Sequence, residues 1–590
     1  MKDFFKYTLA TMVGILLYSV ASLLILFGII GAIASASGDK TVSIEPNTIL
    51  YLKLDNSIVD RASDNPFENF NFASLESEPQ LGLNNILTDL KKAKNDENIK
   101  GIFMELSVIP TGIATLEEIR NALLDFKESG KFIYTYSEAM TQGSYYIASV
   151  SDKIYMNPVG MLEIKGLRAK IAFFKGTLEK IGIEPVIFRY GKFKSAIEPF
   201  MLDKMSDANK EQTLTYVQSI WDHMAAGIAT QRGLSIAELN KIADDFAVRN
   251  MKDAVEHKII DATKYRDEVI DELVALTNAP SAEKLEIVKL SKYSHVKPEK
   301  SKHKDERKKI AVIYASGQIQ SGKGDNQTVG SETLAQAFRQ ARRDSSVKAI
   351  VFRINSPGGS ALASDVIWRE AVLAQQTKPL IVSMGDLAAS GGYYIACPAD
   401  VIVANPTTLT GSIGVFGLLF NTQELMNKKL GVTFDGVKTN KFADLPDLTR
   451  AMTEAEKEII QSGVNEIYEV FIGHVAEGRK TSTSAIDSIG QGRVWSGVNA
   501  KDINLVDEFG GLTRALEIAA EKAGLADYKT VNYPEQPDPM QELIKQLTGD
   551  VKIKMIQKEL GENYYFYQKI QSLQHLQGVQ ARMDYDVELY

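Results

Sequence analysis

The sequence predicts an α/β protein in which two tandem α/β domains follow one N-terminal transmembrane helix. Three observations predict this fold class: an uncharged N-terminal segment, a repeat of about 240 residues, and short apolar runs that alternate with helical periods in each half. Alternating strand and helix patterns are typical of helices packed on a sheet. A repeat of this length is a duplicated domain rather than a solenoid unit.

The N-terminal element is an uncharged segment from Tyr7 to Gly38, preceded by Lys2 and Lys6. It exceeds the roughly 20 apolar residues that a helix needs to cross a bilayer. It is also longer than the apolar region of an ordinary signal peptide, although the triplet Ala34-Ser35-Ala36 resembles a cleavage site and leaves removal of the span open. Because basic residues that precede a span stay in the cytoplasm, we expect residues 1–38 to anchor the chain with the remainder outside.

The repeat orders the elements that follow. EAMTQGSYYIAS in the first half aligns with GDLAASGGYYIA in the second, and 248 residues separate Tyr145 from Tyr393 (393 − 145). NDENIKGIFMEL likewise parallels RDSSVKAIVFRI. We therefore predict an N-terminal domain at 46–290, a charged, solvated linker at 291–308, a C-terminal domain at 309–530 and a tail of unknown role at 531–590.

The second half illustrates the pattern within each domain. The apolar runs KKIAVIYASG, VKAIVFRINS, PLIVSMG and ADVIVANP predict buried strands. SETLAQAFRQARRD predicts a helix between the first two strands. The segment after Thr453 predicts a long amphipathic helix.

The composition excludes several classes of function. With a net charge of −8, the chain has no bulk attraction to nucleic acid, and we expect no nucleic-acid partner. Cys397 is the single cysteine, so the chain forms no intramolecular disulfide and no metal site built on cysteine clusters. A lone cysteine is commonly an inert buried residue. We expect no metal and no cofactor.

The residues that suggest chemistry begin with Ser390. This serine follows an apolar run and precedes GGYYIA, which places its hydroxyl at a strand-to-helix junction. The N-terminus of a helix presents free N–H groups, and Gly391 lets one of them approach a substrate closely. The turn INSPGGS offers a second N–H group, in the pair Gly358-Gly359. Each turn alone is more often only a turn, but two such donors together form an oxyanion hole.

A nucleophilic serine needs a base. None of the six histidines lies in a Gly-rich or strand-end motif, so a Ser-His-Asp triad is poorly supported. A lysine serves instead where burial lowers its pKa toward neutrality. GKFKSAIEPF in the first half offers Lys194, whose counterpart in the second half is Ala443, whereas Ser390 has Gln142 as its counterpart. Most lysines are solvated surface charges, and it is this complementary loss that singles out Lys194.

The motifs ASGGYYIA, NPTTLTGSIGVFG, INSPGG and GKFKSAIEPF resemble the long form of signal peptide peptidase A, the protease IV family. The resemblance extends from the membrane span to about Tyr528 and leaves out the tail. It implies two tandem domains of the Clp-protease/crotonase type, with a Ser–Lys dyad split between them. Ser390 would be the nucleophile and Lys194 the general base. Ser412 would orient the lysine, and Gly391 and Gly359 would supply the oxyanion N–H groups.

The resemblance also implies a membrane-anchored serine endopeptidase that degrades cleaved signal peptides and other apolar peptides. It implies a homotetramer in the cell inner membrane, with the N-terminus cytoplasmic and the catalytic domains periplasmic. Two alternatives stay open. A crotonase-type enzyme would use the same oxyanion hole on a coenzyme A thioester, although the outward topology of this chain argues against it. A non-enzymatic membrane scaffold is the other, because Gln142 shows that one half tolerates loss of the serine.

Overall fold

The computed structural model of the chain describes residues 2–36, 43–63, 70–71, 76–77, 80–296, 308–325, 328–536 and 579–583. Most of the charged part of the predicted linker at 291–308 lies outside these residues. Most of the predicted tail at 531–590 also lies outside them, except for its first residues and a short strand near its end.

The N-terminal segment forms one helix, α1 (Lys2–Ala36). Its stretch Asp3–Ala21 is the one candidate membrane span in the described part of the chain, with 19 residues and a mean hydropathy of 1.5. The side chains of this stretch are exposed, since no other described part of the chain packs on them. The length and apolar character of α1 are compatible with a single-pass membrane anchor.

The first half is built on a six-stranded sheet. Its elements after α1 are, in chain order, β1 (Thr48–Leu52), β2 (Ile58–Val59), β3 (Phe70–Asn71), β4 (Glu76–Ser77), β5 (Leu81–Gly82), α2 (Leu83–Asn95), β6 (Ile99–Glu105), α3 (Ile113–Lys127), β7 (Phe132–Met140), α4 (Gln142–Ala148), β8 (Lys153–Leu162), α5 (Lys175–Ile181), β9 (Glu184–Arg189), a 3-10 turn (Ser195–Ile197), α6 (Glu198–Met201), α7 (Asp207–Arg232), α8 (Ile236–Asp244), α9 (Met251–Glu256), β10 (Ala262–Thr263), α10 (Arg266–Thr277), a 3-10 turn (Ala282–Lys284), β11 (Ile287–Lys289) and α11 (Leu290–Tyr293). The strand order is β10-β8-β7-β6-β1-β11, and every pair is parallel.

The second half repeats this plan. Its elements are β12 (Lys309–Ser316), β13 (Gln318–Gln320), β14 (Gly324–Asp325), β15 (Thr328–Gly330), α12 (Ser331–Arg343), β16 (Val347–Ser356), β17 (Gly358–Ser360), α13 (Ala361–Gln375), β18 (Leu380–Ala389), α14 (Gly391–Ala396), β19 (Val401–Ala404), β20 (Leu409–Gly411), β21 (Phe416–Asn421), a π-helix (Leu425–Leu430), α15 (Glu454–Arg479), α16 (Thr483–Ile489), β22 (Val494–Ser496), α17 (Gly497–Asp502), β23 (Glu508–Phe509), α18 (Leu512–Lys522), β24 (Lys529–Tyr533) and β25 (Val579–Arg582).

The four strands predicted for the second half are confirmed as β12, β16, β18 and β19. They lie side by side in an eight-stranded sheet, where the order β19-β18-β16-β12-β24 matches β8-β7-β6-β1-β11 of the first half. These strands are buried almost throughout, which is why they appear in the sequence as continuous apolar runs rather than as alternating ones. The matching strand orders support the duplication.

A third sheet joins distant parts of the chain. Its seven strands follow the order β14-β15-β13-β17-β25-β21-β9. Strand β9 comes from the first half and pairs antiparallel with β21 of the second half over six residues. Strand β25 comes from the end of the chain and lies between β17 and β21. The two halves therefore share a sheet as well as an apolar core.

Buried polar contacts also hold the halves together. Arg353 on β16 is fully buried and donates to Asp60 Oδ1 and Glu118 Oε1 of the first half, both at 2.7 Å. The Thr115 N–H and hydroxyl donate to the two carboxylate oxygens of Asp386 at 3.0 and 2.6 Å. Burial raises the pKa of Glu118 and of Asp386. Because buried charges need partners, these contacts favour one relative position of the halves.

Candidate active site

Ser390 lies at the junction between β18 and α14, and its side chain is buried within the chain. Its φ of 56° and ψ of −113° are unusual for a residue with a side chain, and such strain persists only where the surroundings hold it. The Ser390 N–H donates to the Gly411 carbonyl, and the Ser390 carbonyl accepts from the Tyr394 N–H, both at 2.8 Å. The hydroxyl is therefore presented from a sharp, fixed turn, as the sequence predicts.

Lys194 enters this site from the first half, on the loop between β9 and α6, and its side chain is also fully buried. Its Nζ lies 3.0 Å from Ser390 Oγ and 2.9 Å from Ser412 Oγ, and 3.3 Å from the Ser412 carbonyl. The Ser390 hydroxyl lies 3.3 Å from the Gly414 carbonyl. The structure thus brings together the three side chains singled out in the sequence, 196 residues apart in the case of Lys194 and Ser390.

The loop that carries Lys194 docks on the turn between α16 and β22. The Phe193 N–H donates to the Gln491 carbonyl at 3.0 Å. Gln212 on α7 bridges the two segments, because its amide donates to the Phe193 carbonyl at 3.1 Å and accepts from the Val494 N–H at 3.1 Å. These contacts across the two halves bring the lysine to the serine.

Two glycines permit this close approach. Gly191 has a φ of 98°, and a Cβ built on it would lie 2.6 Å from Gln491 Cα. Gly492 has a φ of 85°, and a Cβ there would lie 2.6 Å from Lys194 N. Both positions need the left-handed backbone and the space that glycine gives. Gly492 and Gln212 were not predicted from the sequence. The Gly490-Gln491-Gly492 turn was the signal that could have indicated the first, whereas Gln212 has no distinctive motif.

Ser412 is held in a second strained turn, directly after β20. Its φ is 47°, and its N–H donates to the Arg493 carbonyl at 2.7 Å. The turn from which Gln491 contacts the lysine loop therefore also positions the serine hydroxyl beside the lysine amine. Ser412 contacts Lys194 with both its side chain and its carbonyl.

The two Gly-rich turns meet beside Ser390. Gly391 is the first residue of α14, and Gly359 lies in β17. Gly358 has a φ of 92°, and a Cβ there would lie 2.6 Å from Gly391 N. The Gly358 N–H donates to Ser356 Oγ at 3.1 Å. The turn that contains Gly359 and the N–H group that follows the serine are therefore neighbours, as an oxyanion hole requires.

In the other copy of the repeat, the positions equivalent to Ser390 and Lys194 hold no serine–lysine pair. Gln142 occupies the place of Ser390, and its amide closes a ring with the backbone of Gly166: Nε2 donates to the carbonyl at 2.9 Å, and Oε1 accepts from the N–H at 3.0 Å. Ala443, the counterpart of Lys194, is exposed. One Ser–Lys pair is therefore present at these positions of the described chain, and its two members come from different halves.

Two of the histidines contact carboxylates away from this site. His223 Nε2 lies 2.7 Å from Glu117, and His474 Nε2 lies 3.3 Å from Asp365. Cys397 is buried, and burial raises the pKa of its thiol. Within the described ranges, no group of three or more His, Cys, Asp or Glu side chains is placed to hold a metal ion.

Comparison with known proteins finds similarity to proteases in both halves of the chain. The model of peptidase family S49 matches residues 125–279 and 373–526, one stretch in each half. "Protease 4" of Salmonella typhi is 36% identical over 498 residues, which cover 81% of this chain and 78% of the relative. "Protease 4" of Haemophilus influenzae is 32% identical over 503 residues, 82% and 81% of the two chains. "Serine protease SPPA, chloroplastic" of Arabidopsis thaliana is 34% identical over 520 residues, 87% and 75%.

Proposed function

The chain belongs to peptidase family S49 and is a serine protease, and on this premise we propose that Ser390 and Lys194 form its catalytic dyad. The observation that supports this most directly is the 3.0 Å contact between Lys194 Nζ and Ser390 Oγ. Membership in a serine protease family favours a peptidase over both the coenzyme A enzyme and the non-enzymatic scaffold.

The reaction follows from the geometry. Burial disfavours the charged form of an amine, and the neutral amine is the form that accepts a proton, which is the role that we assign to Lys194. It takes the proton of Ser390, whose oxygen attacks the carbonyl carbon of the substrate. Protonated Lys194 then gives the proton to the leaving amine, and water hydrolyses the acyl-enzyme. Ser412 positions the lysine amine through the two contacts described above.

The N–H groups of Gly391 and Gly359 stabilise the tetrahedral oxyanion. Supporting this assignment, the two turns that carry them meet beside the serine. The loss of one such donor typically costs about 3 kcal/mol in the transition state. Since both donors belong to the backbone, no single side-chain substitution removes them cleanly.

The substrates are cleaved signal peptides and other apolar peptides that reach the enzyme at the membrane. Helix α1 anchors the chain in the cell inner membrane, with Lys2 and Lys6 on the cytoplasmic side and the catalytic domains in the periplasm. The exposed apolar surface of α1 supports the anchor. The two catalytic domains extend over 46–290 and 309–530, which the repeated strand order supports.

We also assign the chain to a homotetramer. In the first half, β9 pairs with β21 of the second half. The segment of the second half that corresponds to β9 in the repeat, residues 433–438, forms no strand and is exposed, with Phe434 and Val437 among its solvent-facing side chains. An exposed apolar segment of this kind fits an interface with a neighbouring copy. Interfaces that repeat head to tail form a closed ring when the rotation from one copy to the next closes.

The test is the hydrolysis of an apolar fluorogenic peptide in detergent by the wild type and three variants. We expect Ser390→Ala and Lys194→Ala to lose at least about 10³-fold in kcat, because nucleophile and base act as a unit. Lys192→Ala is the matched control, since Lys192 is exposed and lies two residues from Lys194. Near-full activity of Lys194→Ala would mean that the base lies elsewhere. A charged peptide of equal length tests the preference for apolar substrates.

A further inference from the structure

The last described strand, β25, lies against the proposed catalytic site. It forms antiparallel pairs with β17 on one side, where Gly359 is opposite Ala581 and Ser360 is opposite Gln580. On the other side it pairs with β21, where Phe416 is opposite Gln580. A short piece from the end of the chain therefore fills the gap between the strand of the PGG turn and β21.

The backbone of β25 reaches the proposed oxyanion donors. The Met583 N–H donates to the Pro357 carbonyl at 2.6 Å. Because bonded and non-bonded pairs alternate along an antiparallel ladder, Gly359 and Ala581 form the next bonded pair. A Cβ built on Gly391 would lie 2.8 Å from the Ala581 carbonyl oxygen, and one built on Gly358 would overlap that oxygen. The Ala581 carbonyl therefore lies between the two turns assigned to the oxyanion hole.

The side chains of Ala581 on β25 and of Met583, which directly follows this strand, are both buried in the fold. Ala581 is fully buried, and Met583 is 2% exposed. These two residues, two positions apart on an extended segment, project to the same side. Ala581 packs in the core of the second half and Met583 in the core shared by both halves. The surroundings of Ala581 thus accept a small side chain, and those of Met583 accept a longer apolar one.

We propose that Val579–Met583 occupies the cleft in which peptide substrates bind, so that a substrate has to displace this strand before it is cleaved. The inference rests on the proposed roles of Ser390 and Lys194. An extended peptide added between two strands gains main-chain hydrogen bonds on both sides, and its side chains fill alternate pockets. A substrate bound in the same way places a small residue where Ala581 lies, with its carbonyl carbon ready for attack by Ser390.

This arrangement has a kinetic signature. A cleft that is open in only a fraction of the molecules binds substrate with an apparent affinity reduced by that fraction. Occupation by β25 therefore raises KM and leaves kcat unchanged, because the catalytic groups are intact once the substrate is bound. A purely structural strand would behave differently: its removal would lower activity or stability.

The first test replaces Ala581 with tryptophan, which is too large for a fully buried alanine site. We expect Ala581→Trp to lower KM for the apolar fluorogenic peptide about tenfold or more, with kcat within twofold of the wild type. Ala526→Trp is the matched control, since Ala526 is exposed and lies outside the strands and helices. An unchanged or increased KM for Ala581→Trp overturns the inference.

A disulfide lock keeps the test decisive if the tryptophan variant fails to fold. Ser360 and Gln580 are directly opposite each other, so the full-length double variant Ser360→Cys/Gln580→Cys should form a cross-strand disulfide on oxidation. The native Cys397 is buried. We expect the oxidised protein to lose at least about 90% of its hydrolysis and to regain it on reduction, and the single Gln580→Cys variant to be indifferent to oxidation. Full hydrolysis by the locked protein, or failure to form the disulfide, overturns the inference.

The outcomes separate this inference from the proposed function. If the wild type and the reduced double variant do not hydrolyse peptides, or if Ser390→Ala is as active as the wild type, the proposed dyad is wrong and the inference fails with it. If hydrolysis depends on Ser390 but neither Ala581→Trp nor the disulfide alters it, the dyad stands. In that case, β25 lies outside the cleft in solution.

Discussion

Replacing Gly492 with alanine tests whether the position of Lys194 sets the rate of catalysis. Gly492 has a φ of 85°, and a Cβ built on it would lie 2.6 Å from Lys194 N and 2.7 Å from Lys194 Cα. Ordinary van der Waals contact begins at 3.4 Å, so the Lys194 backbone has to retreat by about 0.8 Å (3.4 − 2.6). The three heavy atoms nearest to the new methyl group all belong to Lys194, which makes the substitution selective for the lysine.

The size of the effect follows from this shift. Lys194 Nζ lies 3.0 Å from Ser390 Oγ, an ordinary hydrogen-bond distance, and a retreat of about 0.8 Å takes the pair beyond the range of roughly 2.7–3.2 Å in which nitrogen and oxygen form a good hydrogen bond. A misplacement of about 1 Å costs on the order of 10²-fold in rate, which corresponds to about 2.7 kcal/mol in the activation barrier. We therefore expect kcat to fall by roughly 30- to 100-fold. Alanine in the left-handed region also costs about 1–2 kcal/mol of stability.

The assay measures kcat for the fluorogenic peptide together with the midpoint of thermal unfolding. Gly233→Ala is the matched control: Gly233 has a φ of 64°, and a Cβ there would meet nothing within 4 Å. Gly233→Ala therefore includes the stability cost of an alanine in the left-handed region but does not displace Lys194. If Gly492→Ala keeps a kcat within about threefold of that of Gly233→Ala, the position of the lysine does not control the rate, and the assigned role of the docked loop is wrong.

Three further results are expected. Arg353→Met should lower the free energy of unfolding by about 3–5 kcal/mol, because it leaves two buried carboxylates without their charged partner. Arg339→Met, which removes a pair whose arginine is about half exposed, should cost below about 1 kcal/mol. Equal shifts in the denaturation midpoint of the two variants would contradict this. Burial raises the pKa of Asp386, so the contribution of Asp386 to stability is present at low pH and is lost as pH rises through its folded-state pKa. We expect thermal unfolding between pH 4 and 8 to show Asp386→Asn gaining stability relative to the wild type as pH increases. Finally, kcat/KM should rise toward alkaline pH as Lys194 becomes neutral, and an acidic optimum would argue against a lysine base.

Much of the fold was predictable because its signals are local. The strands β12, β16 and β18 are continuous apolar runs, and a parallel sheet covered on both faces requires such runs. The duplication was visible in the YYIA motif and its neighbours. The pairing of Ser390 with Lys194 was predicted without knowledge of the fold, since each half had lost the member that the other retained, as Gln142 and Ala443 show.

Other parts of the site had no comparable signal in the sequence. Gln212 lies in the middle of a long helix, where its bridge to Phe193 and Val494 depends on how that helix packs on the second half. Gly492 looks like any glycine in a turn until Lys194 is placed against it. The end of the chain could be assigned no chemistry, because a four-residue strand is recognisable only beside the strands with which it pairs.

The order of residues along the chain was enough to predict the duplication, the main strands and helices, the apolar N-terminal segment and the candidate serine and lysine. These follow from periodicity, composition and motif, which are properties of neighbouring residues. The packed molecule was needed to establish that Lys194 Nζ lies 3.0 Å from Ser390 Oγ, that Arg353 is buried between carboxylates of the other half, and that β25 lies in the gap beside Gly359. Each of these contacts joins segments far apart along the chain, and their separation is set by the packing and hydrogen bonding of both halves together.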